Sequence, residues 1–308
     1  MAETTAGQKT APQKGPEPKR SGKQLDLSTV AGIGLALTGI IGGLLLEKGS
    51  IQDILQGTAA MIVLGGTLGA VLVTTPLAIV RRALRGLAGV FFERGDSPTA
   101  TIEALIQYAT KARKNGIVSL EKDADQIADP FLRKALNLAV DGADLQEIRK
   151  MMEVDLSVGE QLAEAEARVW EAAGGYAPTI GIIGAVMGLI QVMKHLEDIK
   201  EVGHGIAVAF VATVYGVGSA NIFFLPVANK LRARTRHATL LKEMALEGVD
   251  GIVQGLNPKL IRLKLEAYDR HPEKPLKARP AGPMAEAKPA TSSGGPPQAA
   301  PAGAGGRA

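Results

Sequence analysis

Four stretches of this chain contain no Asp, Glu, Lys or Arg, and they constrain the fold more than any other feature. They are residues 27–46, 54–80, 172–193 and 205–229, with lengths of 20, 27, 22 and 25. A helix crossing a hydrocarbon layer of about 30 Å needs about 20 apolar residues. Every run meets that length. One such run could be the core helix of a large soluble protein; four in 308 residues could not. Apolar residues make up 46% of the chain, yet aromatics only 4%, and there are 37 glycines. The membrane segments are therefore built from small aliphatic side chains.

Basic residues set the orientation. Lys9, Lys14, Lys19, Arg20 and Lys23 precede the first run; Arg81, Arg82 and Arg85 follow the second; Lys230, Arg232, Arg234 and Arg236 follow the fourth. The first hairpin holds only Lys48, and in the second Glu197, Asp198 and Glu201 outweigh Lys194 and Lys200. Both termini and residues 81–171 are thus expected in the cytoplasm. The fold expected is an all-α membrane protein: four transmembrane helices, with a helical cytoplasmic domain between helices 2 and 3.

Residues 1–26 read as a disordered polar tail with no apolar signal sequence. Residues 27–80 form one transmembrane hairpin, 81–171 the cytoplasmic domain, and 172–229 the second pair of spans. Residues 230–271 continue as a basic helical region, and 272–308 are a disordered Pro, Ala and Gly tail. Trp170 and Tyr176 fall at the start of the third span, at headgroup depth. Arg232, Arg234 and Arg236 are placed to meet anionic lipid heads, although the positive-inside bias alone also explains them.

Residues 81–171 are helical in pattern. Ser97-Pro98 opens a helix that ends near Asn115-Gly116. Ser119 is a cap candidate with Glu121 in the next first turn, and Asp129-Pro130 opens another helix. Asp144 and Glu147 have capping-box spacing ahead of a long Glu- and Ala-rich helix that runs into the third span. The segment holds 13 basic and 16 acidic residues and few aromatics, which excludes a nucleic-acid platform. The chain has no cysteine and four scattered histidines, which leaves no disulfide, thiolate metal site, Cys nucleophile or His cluster.

Inside the membrane, Gly39/Gly43, Gly65/Gly69 and Gly184/Gly188 are small-xxx-small pairs, and Ala212, Gly216 and Ala220 extend the pattern. Pro76, Pro178 and Pro226 lie near the inner ends of their spans. Pro178 deprives the Gly174 carbonyl of its helix partner and Pro226 that of Ile222. These are ordinary kinks on one reading; on the other, Pro178 and Pro226 are paired hinges. None of the four spans carries an ionisable side chain. Proton and ion relays through membranes use such groups, so the chain needs a carboxylate from elsewhere to conduct. It also lacks the reactive set of an intramembrane enzyme, and no enzymatic activity is expected.

The segment from Ala177 to Leu189, reading Ala-Pro-Thr-Ile-Gly-Ile-Ile-Gly-Ala-Val-Met-Gly-Leu, resembles the flagellar stator branch of the MotA/TolQ/ExbB family of ion-driven motors. The segments Arg113-Lys114-Asn115-Gly116-Ile117-Val118-Ser119-Leu120-Glu121 and Phe223-Phe224-Leu225-Pro226-Val227-Ala228-Asn229-Lys230-Leu231 share the resemblance, which covers roughly residues 27–269. It implies a bacterial inner-membrane protein forming a homo-oligomeric ring, a pentamer, around a MotB-like partner. That partner has one span bearing an ion-accepting Asp and a peptidoglycan-binding domain. Ion flow would turn the ring against the rotor protein FliG.

Carried over residue by residue, the resemblance makes Arg113 and Glu121 rotor contacts and Pro178 and Pro226 the coupling prolines. Thr213 would face the ion path. Ala185 stands where sodium-driven relatives have a second threonine, so protons are expected rather than sodium. No cofactor is implied beyond the transported ion. The alternative is a TolQ- or ExbB-like energiser of outer-membrane processes. Those relatives usually lack the first hairpin, which residues 27–80 supply here.

Overall fold

The computed structural model describes residues 24–93 and 97–270. The disordered-tail readings for residues 1–26 and 272–308 lie outside the described residues except at 24–26, which hold a short strand and the cap of the first helix. Helices α1 (Leu27–Leu46), α2 (Ile51–Ile54) and α3 (Gly57–Thr74) form the first hairpin, and α4 (Leu77–Phe91) leads away from it. The middle domain holds α5 (Pro98–Asn115), α6 (Glu121–Gln126) and α7 (Pro130–Val140). Two long helices follow, α8 (Leu145–Lys194) and α9 (Ile199–Val253), and then α10 (Pro258–Arg270). A two-residue strand β1 (Gln24–Leu25) pairs antiparallel with β2 (Phe92–Glu93). Among the described residues four helices, α1, α3, α8 and α9, are long and apolar enough to cross a membrane. The chain is a multi-pass membrane protein of nearly all-helical fold.

The first span matches its charge-free run from end to end, and Asp26 caps it by accepting from the Thr29 amide. The second span is shorter than its run. Thr75 is extended (φ −132°, ψ 131°), the conformation forced on a residue before proline, and helix resumes only after Pro76. The run also includes Ile54 to Gln56, which are not in the spanning helix. That leaves 18 residues, Gly57–Thr74, as the span. The rest of the run begins α4, which buries Val80, Ala83 and Val90 while Arg81, Arg82 and Arg85 stay exposed. Absence of charge marks apolarity; it does not mark where a helix breaks.

The middle domain starts and stops its helices largely by the chemistry expected. Asp129 accepts from the Phe131 amide at 2.9 Å and Asp144 from the Gln146 amide at 3.0 Å. Gly116 ends α5 with φ of 81°, open to glycine at no steric cost. Ser97 sits at the cap position of α5 without a side-chain bond. Ser119 differs from expectation: its hydroxyl donates to the Gly116 carbonyl at 2.6 Å, within a 3₁₀ turn (Ile117–Leu120), and caps no helix.

Two cores result. In the middle domain, Leu105, Leu120, Leu136, Ile148, Met152, Met244, Ile261 and Leu265 are sealed from solvent and join α5 through α10. Where the spans meet α4, Trp170 packs with Val71, Val80, Val90, Val169 and Val227. Its ring stacks on Phe224 with centroids 6.3 Å apart and meets Phe223 edge-on at 5.8 Å. Trp170 is therefore a core residue, 7% exposed, rather than a ring turned to the headgroups.

Candidate ion-path and coupling site

The site is built on the seam between α8 and α9. Both helices place glycine or alanine where they cross, because lipid offers no hydrophobic force between helices and close backbone contact must supply the attraction. A Cβ on Gly216 would stand 2.6 Å from the Ala177 carbonyl oxygen, 3.0 Å from Gly181 Cα and 3.3 Å from Pro178 Cα. One on Gly188 would stand 2.8 Å from both the Ala209 nitrogen and the Gly205 carbonyl oxygen. Gly184 meets the Ala212 methyl and Ile62 of α3 in the same way. By contrast, a Cβ at Gly39, Gly43, Gly65 or Gly69 would meet nothing within 4 Å. Those pairs face away from this chain's own helices.

Pro178 lies inside α8, half-buried, with its Cα against Gly216. The helix runs through it without interruption. Pro226 is exposed, in the first turn after a π-helical segment, Ser219–Phe224, within α9. The wider π turn lets α9 pass the proline unbroken. Both prolines therefore modulate continuous helices, whereas Pro76 breaks one.

Thr213 is half-buried, and its hydroxyl donates back to the Ala209 carbonyl at 3.3 Å. Ala185 is half-buried as well. They follow, by one residue each, the Gly184–Ala212 contact, so both flank the same seam. Tyr215, which carried no role in the sequence reading, donates its hydroxyl to the Ile54 carbonyl at 2.5 Å and accepts from the Gln56 amide at 3.3 Å. It satisfies the backbone exposed by the break before α3. No local sequence signal links Tyr215 to residues 159 and 161 positions earlier.

Arg113 and Glu121 lie in the middle domain, on either side of the Ile117–Leu120 turn. Arg113 is in the last turn of α5, where a cation suits the helix dipole, and Glu121 opens α6. Both are exposed, and neither makes an ion pair among the described residues. Lys111 and Asp123, 2.5 Å apart, tie the two helices together and leave Arg113 and Glu121 pointing at no internal partner. Pro178, Thr213 and Ala185 belong to the helices of the α8–α9 seam, whereas Arg113 and Glu121 belong to α5 and α6 of the middle domain.

The lipid-facing role for the arginines after the fourth span needs correction. Arg232 is held by Glu164 at 2.9 Å and Glu171 at 2.5 Å on α8. The Arg232 guanidinium holds both carboxyls below the usual carboxylate range, and they raise the arginine in turn, Glu171 foremost. Arg234 pairs with Asp26 at 2.7 Å. Arg236 is exposed and makes no ion pair among the described residues. Internal pairing, which a count of basic residues cannot see, takes up two of the three.

This is the arrangement of a membrane subunit with two spans, a helical domain, two spans and no Asp, Glu, Lys, Arg or His in any of the four apolar runs. Residues 123–244 match the MotA/TolQ/ExbB proton channel family and residues 30–116 match Motility protein A N-terminal. The chain belongs to the MotA/TolQ/ExbB proton channel family. It is 36% identical over 244 residues to Motility protein A of Helicobacter pylori, covering 79% of this chain and 95% of that one. The C. jejuni MotAB structure superposes with a TM-score of 0.76 at 33% identity, over 79% of this chain and 96% of that one. The flagellar MotAB stator complex from Bacillus subtilis gives 0.73 at 31% identity, over 80% and 100%.

Proposed function

We propose that this chain is the ring-forming subunit of a flagellar stator, working with a MotB-like single-span partner in the bacterial inner membrane. The observation that carries the reading is the tight, charge-free α8–α9 seam in a chain whose fold matches MotAB complexes along 79–80% of its length. A seam without a carboxylate conducts only if another chain brings one. The partner's aspartate would fill that need, with Thr213 and Ala185 flanking its path and protons as the ion. An alanine at 185 offers no oxygen to a sodium ion.

One monovalent ion crossing the membrane releases about 2.3 kcal/mol per 100 mV. That suffices to bias a packed seam between two arrangements. Pro178 and Pro226 are the positions where such a change would bend α8 and α9, and the far domain would carry it to Arg113 and Glu121 at the rotor protein FliG. Exposed ion pairs are worth about 0–1 kcal/mol each, so contacts of this kind engage and release readily. A ring of five copies is the assembly we propose.

Both termini are assigned to the cytoplasm. In support, Asp26 before the first span, Phe92 after α4 and Arg234 after the fourth span meet in one cluster, on one side of the spans. The match of residues 30–116 to Motility protein A N-terminal favours the stator over an ExbB- or TolQ-like energiser. Deletion of the gene tests the proposal. A stator role predicts assembled but paralysed flagella, restored by the chain together with its partner gene. Normal swimming in the deletion strain, with no paralogous stator present, would refute it.

A further inference from the structure

Helix α1 has no buried residue along its length. A Cβ added at Gly32, Gly34, Gly39, Gly42 or Gly43 would touch nothing within 4 Å. Side-chain packing within the chain therefore does little to fix this span, and its inner end is fixed by charge. Asp26 is 6% exposed. Its carboxylate lies 2.6 Å from Lys230 Nζ and 2.7 Å from an Arg234 guanidinium nitrogen. It accepts from the Ser28 hydroxyl at 2.6 Å and the Thr29 amide at 3.2 Å. The Asp26 amide donates to the Phe91 carbonyl at 2.8 Å, and Arg234 also donates to the Phe92 carbonyl at 2.7 Å. Lys230, with help from Ser28, holds the Asp26 carboxyl far below the usual carboxylate range, so it stays ionised at every physiological pH.

Lys230 and Arg234 follow Pro226 by four and eight residues, so all three share one face of α9. We propose that Asp26 is a positioning residue of the coupling machinery. It clamps the first span to the face of α9 just inside Pro226, so that this span travels with the inner segment of α9. A carboxylate between two cations is the right element for the task. Only the carboxylate is buried, its two partners being part-exposed, so parting them would leave the uncompensated charge on Asp26. The short β1–β2 pairing sets the direction of approach. The proposal rests on the stator reading only for its motile readout; the clamp itself has a separate chemical one.

The chain has no cysteine, which makes that readout clean. Leu25 and Phe92 are direct antiparallel partners. Their Cα atoms are thus about 4.5–5.5 Å apart, within disulfide reach. In the full chain with its partner, Leu25→Cys/Phe92→Cys should close on mild oxidation. Adding Asp26→Asn should slow closure about tenfold or more and depress swimming under reducing conditions. Asp26→Glu should keep most of both. Oxidation of the Asp26→Asn double-cysteine chain should restore speed, and reductant should remove it again, because a covalent clamp replaces the ionic one. Equal cross-linking rates with and without Asp26 would overturn the proposal. So would an oxidised chain that closes yet does not swim, which would point to a role for the carboxylate other than positioning. If the unsubstituted chain and partner give no motility at all, the stator reading fails, and the cross-linking rates still decide the clamp.

Discussion

The two halves of the chain are held together by opposite means. In the middle domain, large aliphatic side chains such as Leu105, Leu136, Ile148 and Met244 fill a core from which water is excluded. Between α8 and α9 the contact is backbone on backbone, with Gly181, Gly188, Gly205 and Gly216 as its surface. Water rewards burial of bulk in the first case. Lipid gives no such reward in the second, so atoms gain only by close approach. The first packing resists deformation because its shape is filled by interlocking side chains. The second is a smooth contact, which can rotate or slide with few side chains to rearrange.

The comparison can be broken at several points. Gly216→Leu should have the largest effect: no neighbour but backbone lies within 3.3 Å of the new Cβ, so the seam must part. Membrane levels or ring assembly should collapse, as read by blue-native electrophoresis, while Gly39→Leu on the open face of α1 leaves this chain's own packing intact. Pro178→Ala should come next. It restores a helix hydrogen bond, so assembly with the partner persists, while torque on tethered cells falls to little or none. Normal swimming by Pro178→Ala cells would remove the hinge from the account.

Leu105→Ala in the water-side core should cost about 2–5 kcal/mol of domain stability, seen as faster proteolysis of the middle domain with the spans still inserted. Arg113→Glu should weaken torque only in part, with recovery when a rotor charge is reversed, since an exposed contact is screened. The smallest effect concerns pH. Glu164 and Glu171 have depressed carboxyls in the fold, Arg232 being the cause. Their contribution is present above the ordinary glutamate range and is lost only as pH falls through the depressed values. Thermal stability in detergent should therefore hold from pH 8 to about pH 5 and decline below it, and Arg232→Gln should make that decline shallower without abolishing it, because Asp26 and Glu103 are depressed by other partners.

The sequence made some of this plain and concealed the rest for definite reasons. The first span, Leu27–Leu46, is legible because charge ends both sides of it. The second is misjudged because Pro76 ends the helix six residues before Arg81 ends the apolar run. Asp129 and Asp144 work as caps because capping is local; Ser119 does not, since a 3₁₀ turn intervenes. Asp26 falls at the edge of a polar tail and reads as part of it. Its partners are more than 200 residues away, Lys230 and Arg234, and no local pattern announces them. A separation of 68 residues likewise hides the engagement of Arg232 by Glu164. The seam glycines are visible as spacing, but Gly184/Gly188 and Gly39/Gly43 look alike in sequence, and only the first pair meets a neighbour.

The lengths of α8 and α9 carry a mechanical consequence. Pro178 stands 33 residues from Leu145, the inner end of a helix that runs without a break through the proline. At about 1.5 Å per residue this is an arm of about 50 Å. A tilt of about 5° at the proline would sweep the far end through about 4 Å, roughly the diameter of a side chain. A displacement at the pivot too small to disturb a glycine contact would thus become, at the tip, a stroke large enough to change which residue touches a neighbouring surface. On that account the α8 rod would trade force for travel, with α9 tied to it through Arg232.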